Sequence, residues 1–354
     1  MKSQGESHCR KRRSRWLAVG GFLALLIAAF AIIYVAYPRV LLNVAIAVQR
    51  SNAGFDHYWV KVDDWNLPVI DSHTEGVQRE TILLVHGFGD SKDSFLELAS
   101  GLTSDYRVVA VDLPGFGETA IRRDGDYTAA FYVRTLSRLI EQLNVDSVHL
   151  VGYSMGGMLA TKLAASSSDQ VRTLTLLAPA GLPGEEASEL ERLIASGDDN
   201  PLTYRNREEF GRVLHLNFHD RLDIPDFALR AVIAGGRERA ELHDVIFAQL
   251  FDPASVSTFE QQVAALKVPT VVLWGSEDRI LHVSGADRWS RVNPNIRVVK
   301  IPSVGHDLVR QAIGRIVEEL RSQMQSTHVT SRASSSGASL RTASRMSHSK
   351  ATSR

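Results

Sequence analysis

A serine, a carboxylate and a histidine together can turn an ordinary hydroxyl into a nucleophile, and this chain places one of each just past a short apolar run. Gly152-Tyr153-Ser154-Met155-Gly156 follows the apolar run Val148 to Val151 and opens a helical pattern from Met158 to Ala165. A Gly-x-Ser-x-Gly at a strand-to-helix turn forces the serine into a strained backbone conformation that only small neighbours tolerate. Gly152, Gly156 and Gly157 supply that clearance. The turn lifts the Ser154 hydroxyl off the sheet, and the following helix N-terminus favours negative charge beside it.

Partners for Ser154 occur in the order such a site requires: an oxyanion loop upstream, then acid and histidine downstream. Thr81 to Val85 ends in His86-Gly87-Phe88-Gly89; Pro269 to Trp274 ends in Gly275-Ser276-Glu277-Asp278; Ile296 to Ile301 ends in Pro302-Ser303-Val304-Gly305-His306. All lie where open α/β sheets build their sites, beyond the carboxyl ends of strands. Ser154 is the expected nucleophile, His306 the base that takes its proton, and Asp278 the acid that orients the imidazole. The expected oxyanion donors are the backbone N–H groups of Met155 and Phe88. Glu277 is a rival acid beside Asp278. Asp112, in Val111-Asp112-Leu113-Pro114-Gly115, reads as a turn residue, and His86 as a prop for the oxyanion loop. A His-x4-Asp spacing, used by some acyltransferases, occurs at His215/Asp220 and His282/Asp287, and reads as coincidence.

With these residues in place the chain resembles a known family. His86 to Ser94, Val111 to Gly115, Val151 to Gly157 and Val268 to Gly275 are similar to membrane-anchored monoacylglycerol lipases of the α/β-hydrolase superfamily and their bacterial lipase relatives. Asp278 to Asp287 and Ala178 to Leu182 extend the likeness, which spans about residues 56 to 321. It implies a Ser154/Asp278/His306 triad, Phe88 and Met155 as oxyanion amides, no cofactor, and hydrolysis of lipid esters. Tyr153 departs from the animal enzymes, which carry threonine there.

The elements that must position these groups alternate. Strand patterns at about 106–112, 146–151, 171–177, 268–274 and 296–301 are separated by helical ones at about 127–143, 155–166, 285–292 and 307–323. That alternation predicts an α/β protein with a mostly parallel, doubly wound sheet. Tyr58 to Val62 predicts a less regular antiparallel edge. From about 182 to 262 several helical patterns follow one another, as in a helical cap inserted between two strands.

Ahead of the catalytic part, Trp16 to Tyr37 gives twenty-two uncharged residues, about 33 Å as a helix and enough to cross a bilayer core. It is too long for a cleavable signal peptide, although Ala45-Ile46-Ala47 mimics a cleavage site. Six basic residues precede it, which predicts a cytoplasmic N-terminus and an extracytoplasmic catalytic domain, periplasmic in a Gram-negative source. Pro38 ends the span. The apolar stretch Val40 to Val48 is then either a segment lying in the membrane interface or a kinked continuation of the helix.

The expected organisation is a basic flank (1–15), a transmembrane signal-anchor (16–37), an interfacial segment or linker (38–55), the catalytic domain (56–323, cap about 182–262) and a disordered serine-rich tail (324–354). The formal net charge of zero hides an asymmetry. The first 15 residues carry six basic and one acidic side chain and the last 30 five basic and none acidic, leaving 29 basic against 39 acidic between them. An acidic catalytic domain argues against a nucleic-acid partner. The single cysteine, Cys9, precludes an internal disulfide.

These features predict a serine lipase or esterase whose partners are a membrane and a lipid ester such as a monoacylglycerol, with no metal or cofactor. Two alternatives share the fold: a carbon–carbon bond hydrolase of ring-cleavage products, and a noncatalytic membrane scaffold.

Overall fold

Eight β-strands form one sheet in the computed structural model, which describes residues 3–73, 79–198, 200–251 and 258–327. They are β1 (Asp56–Val62), β2 (Trp65–Asp71), β3 (Thr81–Val85), β4 (Arg107–Val111), β5 (Val148–Tyr153), β6 (Val171–Leu177), β7 (Thr270–Gly275) and β8 (Arg297–Ile301). Their spatial order is β1-β2-β4-β3-β5-β6-β7-β8. β1 pairs antiparallel with β2, and β2 with β4; every later pairing is parallel. β3 and β5 are buried at every position, as strands covered by helices on both faces must be. The α/β class expected from the alternation is therefore the observed one.

β2 has no counterpart in the sequence patterns, because Pro68 interrupts it and proline argues against an interior strand. Proline is accommodated because β2 meets β4 only over Val69–Asp71, after Pro68. The Pro68 carbonyl still works, accepting from Asp112 N.

Two helices precede the sheet: α1 (Ser3–Ala36) and α2 (Pro38–Asn52). The stretch Val19–Ala36 within α1 is long and apolar enough to cross a membrane, and Val19, Phe22, Leu23, Leu25 and Ile27 are exposed. The chain kinks at Tyr37 and continues as α2, since proline's fixed φ suits the first turn of a new helix. Along α2, Val40, Val44 and Val48 present an exposed apolar stripe at four-residue spacing.

Short α3 (Leu96–Ser100), then α4 (Ala129–Gln142) and α5 (Met155–Ser166), flank the sheet. Between β6 and β7 lie α6 (Glu189–Ala195), α7 (Arg207–Asn217) and α8 (Asp226–Leu250), which form the cap, followed by α9 (Phe259–Ala264). α10 (Ser284–Val292), α11 (Leu308–Gln311) and a closing helix α12 (313–327) complete the chain. Met324 on α12 is buried, whereas residues 328–354 of the expected tail lie outside the described residues. α8 packs along α2. It also clasps the kink: Pro38 has no N–H to donate back to Tyr34, and Arg230 of α8 donates instead, to Tyr34 O at 2.9 Å and Val35 O at 3.1 Å.

Candidate active site

Ser154 stands between the end of β5 and the start of α5, with φ 54° and ψ −116°. This left-handed φ is strained for a residue with a Cβ, and is held only because the surroundings dictate it. The neighbouring glycines are required by close approach. A Cβ on Gly156 would lie 2.3 Å from Val85 O, one on Gly152 2.5 Å from Gly156 O, and one on Gly157 2.8 Å from Pro179 Cβ. Ser154 N donates to Leu177 O on the next strand, and Ser154 O accepts from Gly157, Met158 and Ala180. The turn is thus tied to both strand and helix.

His306 Nε2 is 2.9 Å from Ser154 Oγ, and His306 Nδ1 is 2.7 Å from Asp278 Oδ2. Asp278 is held by the backbone of its own loop, its Oδ1 accepting from Ile280 N and Leu281 N at 2.9 Å each. Because a carboxylate can only accept, Nδ1 carries the proton and Nε2 presents a lone pair to the Ser154 hydroxyl. His306 and Asp278 are buried, so their interaction is weakly screened. Tyr153 lies against the imidazole, ring centroids 5.3 Å apart; burial pushes its phenol well above the usual pKa. Burial likewise raises the pKa of Asp307 despite the opposing pull of Arg310.

The other candidates fall outside this chain of contacts. Glu277 is exposed, with its carboxylate on Ser276 Oγ at 3.0 Å. In the His-x4-Asp pairs, His215 pairs with Glu189 while Asp220 is exposed, and His282 meets Ser284 while Asp287 binds Lys300. Neither histidine contacts its spaced aspartate. His86 is fully buried and spans two loops, Nε2 accepting from Leu113 N at 3.0 Å and Nδ1 lying 2.7 Å from Gly87 O.

That histidine ties the start of the loop after β3 to the loop after β4. A Cβ on Gly87 would lie 3.1 Å from the Tyr153 ring and 3.2 Å from Ser154 Cβ, so the chain just before Phe88 runs close against the Tyr153 and Ser154 side chains. Met155 is the first residue of α5 and fully buried. The Phe88 ring packs on Phe116, His243 and Phe247 at 5.5–5.6 Å, and the last two bring α8 of the cap directly over the loop. Burial lowers the His243 pKa to about 4, Arg239 adding to the effect.

The cap also bonds to the loops that follow β7 and β8. Arg279 donates to His215 O at 2.7 Å and Phe218 O at 3.0 Å, and Asp307 N donates to Asn217 O at 2.9 Å. A cleft of about 510 Å³ lies between α7 and the segment after it, lined by Phe210, Leu214, Phe218, Ile224 and Leu229 with Arg279 at its side. It adjoins the acid loop and does not include Ser154, so it is no substitute for the site around the elbow. Among the described residues no cluster of three His, Cys, Asp or Glu side chains is arranged to hold a metal.

Sequence reasoning missed a buried ionic cluster behind the loop that follows β3. Asp112 is more than a turn residue: fully buried, it binds the equally buried Lys92 at 2.8 Å. Arg50, Asp93 and Glu118 complete the cluster. Its one sequence signal is a lysine between two aspartates shortly after His86-Gly87, which by itself reads as a solvated loop.

A serine at a strained turn after β5, an acid after β7 and a histidine after β8 on a mostly parallel sheet are the arrangement of the α/β-hydrolases. The profile described as alpha/beta hydrolase fold matches residues 80–310, and the chain belongs to that family. Within it the chain is an ester hydrolase of lipase-like type. It is 27% identical to the human monoacylglycerol lipase ABHD6 over 323 residues, covering 89% of this chain and 96% of that protein. Lipase 1 of Psychrobacter immobilis is 28% identical over 247 residues, or 69% of this chain and 77% of the lipase. The crystal structure of a bacterial membrane phospholipase A superposes with a TM-score of 0.77 at 28% identity, covering 89% of this chain and 99% of that one. The meta-cleavage product hydrolase of Pseudomonas fluorescens IP01 shares the fold alone, with a TM-score of 0.60 at 19% identity over 78% of this chain and 99% of that one.

Proposed function

We propose that this chain is a membrane-anchored serine hydrolase that cleaves carboxylic esters of lipids such as monoacylglycerols through an acyl-enzyme. The observation that carries the reading is the unbroken line from Ser154 Oγ through His306 to Asp278, at 2.9 and 2.7 Å. Ser154 Oγ attacks the ester carbonyl carbon as its proton passes to His306 Nε2. The oxygen that becomes negative is met by the amides of Met155 and Phe88; removing one such donor typically costs about 3 kcal/mol. The tetrahedral adduct collapses, its C–O bond breaks, and the leaving alcohol takes the proton from His306. Water then attacks the acyl-enzyme, gives its proton to His306, and the second collapse returns that proton to Ser154 and frees the fatty acid. Asp278 stays ionised throughout, stabilising the imidazolium. The cycle consumes ester and water and calls on no cofactor.

A lipid substrate is supported by the monoacylglycerol lipase and phospholipase relatives and by the membrane-length stretch Val19–Ala36. In this reading α1 is the signal-anchor. α2, with Val40, Val44 and Val48 exposed along one side, lies in the interface and holds the catalytic domain against the bilayer. The basic residues ahead of the span put the N-terminus in the cytoplasm and the catalytic domain on the other side.

A panel of monoacylglycerols and soluble esters of graded chain length tests the substrate. Each buried methylene contributes about 0.8 kcal/mol, so kcat/KM should rise about fourfold per CH2 until the acyl site is filled. A preference for short soluble esters would refute the lipid assignment. Protease digestion of sealed vesicles tests the topology: a catalytic domain cleaved only from the cytoplasmic side would reverse it.

A further inference from the structure

The ionic cluster behind the oxyanion loop takes no part in the proton transfers above, yet it joins the helix after the membrane span to that loop. The Lys92 and Asp112 side chains are wholly shielded from solvent. Lys92 Nζ lies 2.8 Å from Asp112 Oδ2, 3.1 Å from Glu118 Oε1 and 3.4 Å from Asp93 Oδ2. The backbone joins in: Lys92 N donates to Asp112 Oδ1 at 2.7 Å and Glu118 N to Asp112 Oδ2 at 2.8 Å. Arg50, in the last turn of α2, forks onto Asp93 through Nε at 2.7 Å and Nη2 at 2.6 Å, and Nη2 also binds Glu118. His57 Nε2 stands 3.1 Å from the other Glu118 oxygen.

Two cations therefore face three carboxylates, with one imidazole at the margin. Burial works against the Lys92 cation, but Asp112, Asp93 and Glu118 outweigh it and its pKa lies above the usual lysine value. Burial also disfavours the Glu118 carboxylate, and Arg50 and Lys92 outweigh that too, holding its pKa low. The His57 pKa is lowered, by burial first and then by Arg50, so Lys92 and Glu118 are charged and His57 neutral at neutral pH.

A buried ion cluster is a poor way to gain stability, since apolar replacement is often neutral or better. A forked arginine–carboxylate contact does fix orientation. Orientation is what the loop from His86 to Ser94 needs. His86 pins its start through Leu113 N and Gly87 O. Its far end runs into a short 3-10 turn, Lys92–Phe95, whose two leading side chains both belong to the cluster. Arg50 is the one member supplied by α2, outside the span matched by the family profile.

We propose that Arg50 is a positioning residue for the oxyanion loop, so that the helix following the membrane span is a working part of the active site. The inference rests on the serine-hydrolase reading. Without Arg50, Asp93 and Glu118 face each other with Lys92 alone between them, and the loop shifts away from the oxyanion. Displacements of about 1 Å at such a site cost up to about 100-fold in rate.

Full-length wild type, Arg50→Met and Arg50→Lys, assayed in membranes, test this. Active sites are counted with a fluorophosphonate, whose reaction also develops a charged oxygen in the oxyanion hole. Arg50→Met should keep the number of labelled sites, while labelling rate and kcat per site fall about 10- to 100-fold. KM should stay within about twofold for both a monoacylglycerol and a short soluble ester, because the loss is in the transition state. Arg50→Lys should recover part of the rate, as it restores the charge without the fork. Wild-type kcat per labelled site in Arg50→Met overturns the proposal. So does a loss in the number of sites alone, which marks a purely structural role, or a loss confined to KM for the lipid, which marks membrane docking. If Arg50→Met does not accumulate, Asp93→Asn removes the carboxylate it grips and is read by the same criteria. A wild type that is not labelled fails the hydrolase reading itself; a labelled wild type with an unchanged Arg50→Met fails this inference alone.

Discussion

His306 Nε2 lies 2.9 Å from Ser154 Oγ across 152 residues of chain. Their strands, β5 and β8, are separated by β6 and β7 in the sheet, a span of three strand spacings or roughly 14 Å. The contact is made by the loops beyond the strand ends. Asp278, on the loop after the intervening β7, holds the histidine from behind.

Replacing Asp278 by Asn keeps the shape of that support but favours the wrong tautomer of His306. The expected result is a fall in kcat of about 10⁴-fold with thermal stability nearly unchanged. Glu277→Gln, at an exposed carboxylate one residue away, should leave kcat within about twofold, as surface substitutions generally do. Parallel steady-state assays of the two variants check the assignment of the acid.

Glycine substitutions should separate close approach from simple chain flexibility. Gly156→Ala puts a methyl 2.3 Å from the Val85 carbonyl, backbone that cannot step aside. A loss of about 1–3 kcal/mol or more is expected. Gly211, on α7, has open space where its Cβ would go, and Gly211→Ala should stabilise by about 0.5–1 kcal/mol. Denaturant melts of both variants measure the two signs.

Acid should weaken the fold through His243. Its folded pKa, about 4, lies below the ordinary histidine value of 6.5 because burial disfavours the imidazolium. The unfolded chain therefore binds the extra proton first. The stability this residue contributes is whole above about pH 6.5 and is lost as the pH falls towards 4, about 3 kcal/mol at most. His243→Phe should show a smaller drop in Tm than wild type between pH 7.5 and pH 4.5. An equal drop in both proteins would assign the acid sensitivity to other groups.

Much of the candidate site was legible because its chemistry is written in short segments at strand ends. Glycine beside Ser154, His86-Gly87 after one apolar run and Gly305-His306 after another carry their meaning locally. Glu277 and Asp278 were adjacent rivals on sequence, and burial with two backbone donors separates them. What could not be read depends on partners far along the chain. Lys92 is buried only because Asp112, 20 residues on, is there to meet it, and Arg50 reaches Glu118 across 68 residues. A lysine or arginine in isolation reads as solvated. β2 was hidden for the opposite reason, since Pro68 is a local signal against a strand that tertiary pairing overrides.

The clasp between the cap and α1 gives a further expectation. Arg230→Met removes the donor that serves Tyr34 O and Val35 O at the Pro38 kink. The side chain is 34% exposed, so the cost should be modest, about 1 kcal/mol. It should be local: faster amide exchange around residues 33–40 in detergent micelles, with the exchange of β3 and β5 unchanged.

Fluorophosphonate labelling of the full-length protein in membranes bears most directly on the account. Wild type should take up one equivalent, with the modified peptide containing Ser154, and Ser154→Ala should take up none. Undiminished labelling of Ser154→Ala, or ester turnover by that variant at the wild-type rate, would contradict it.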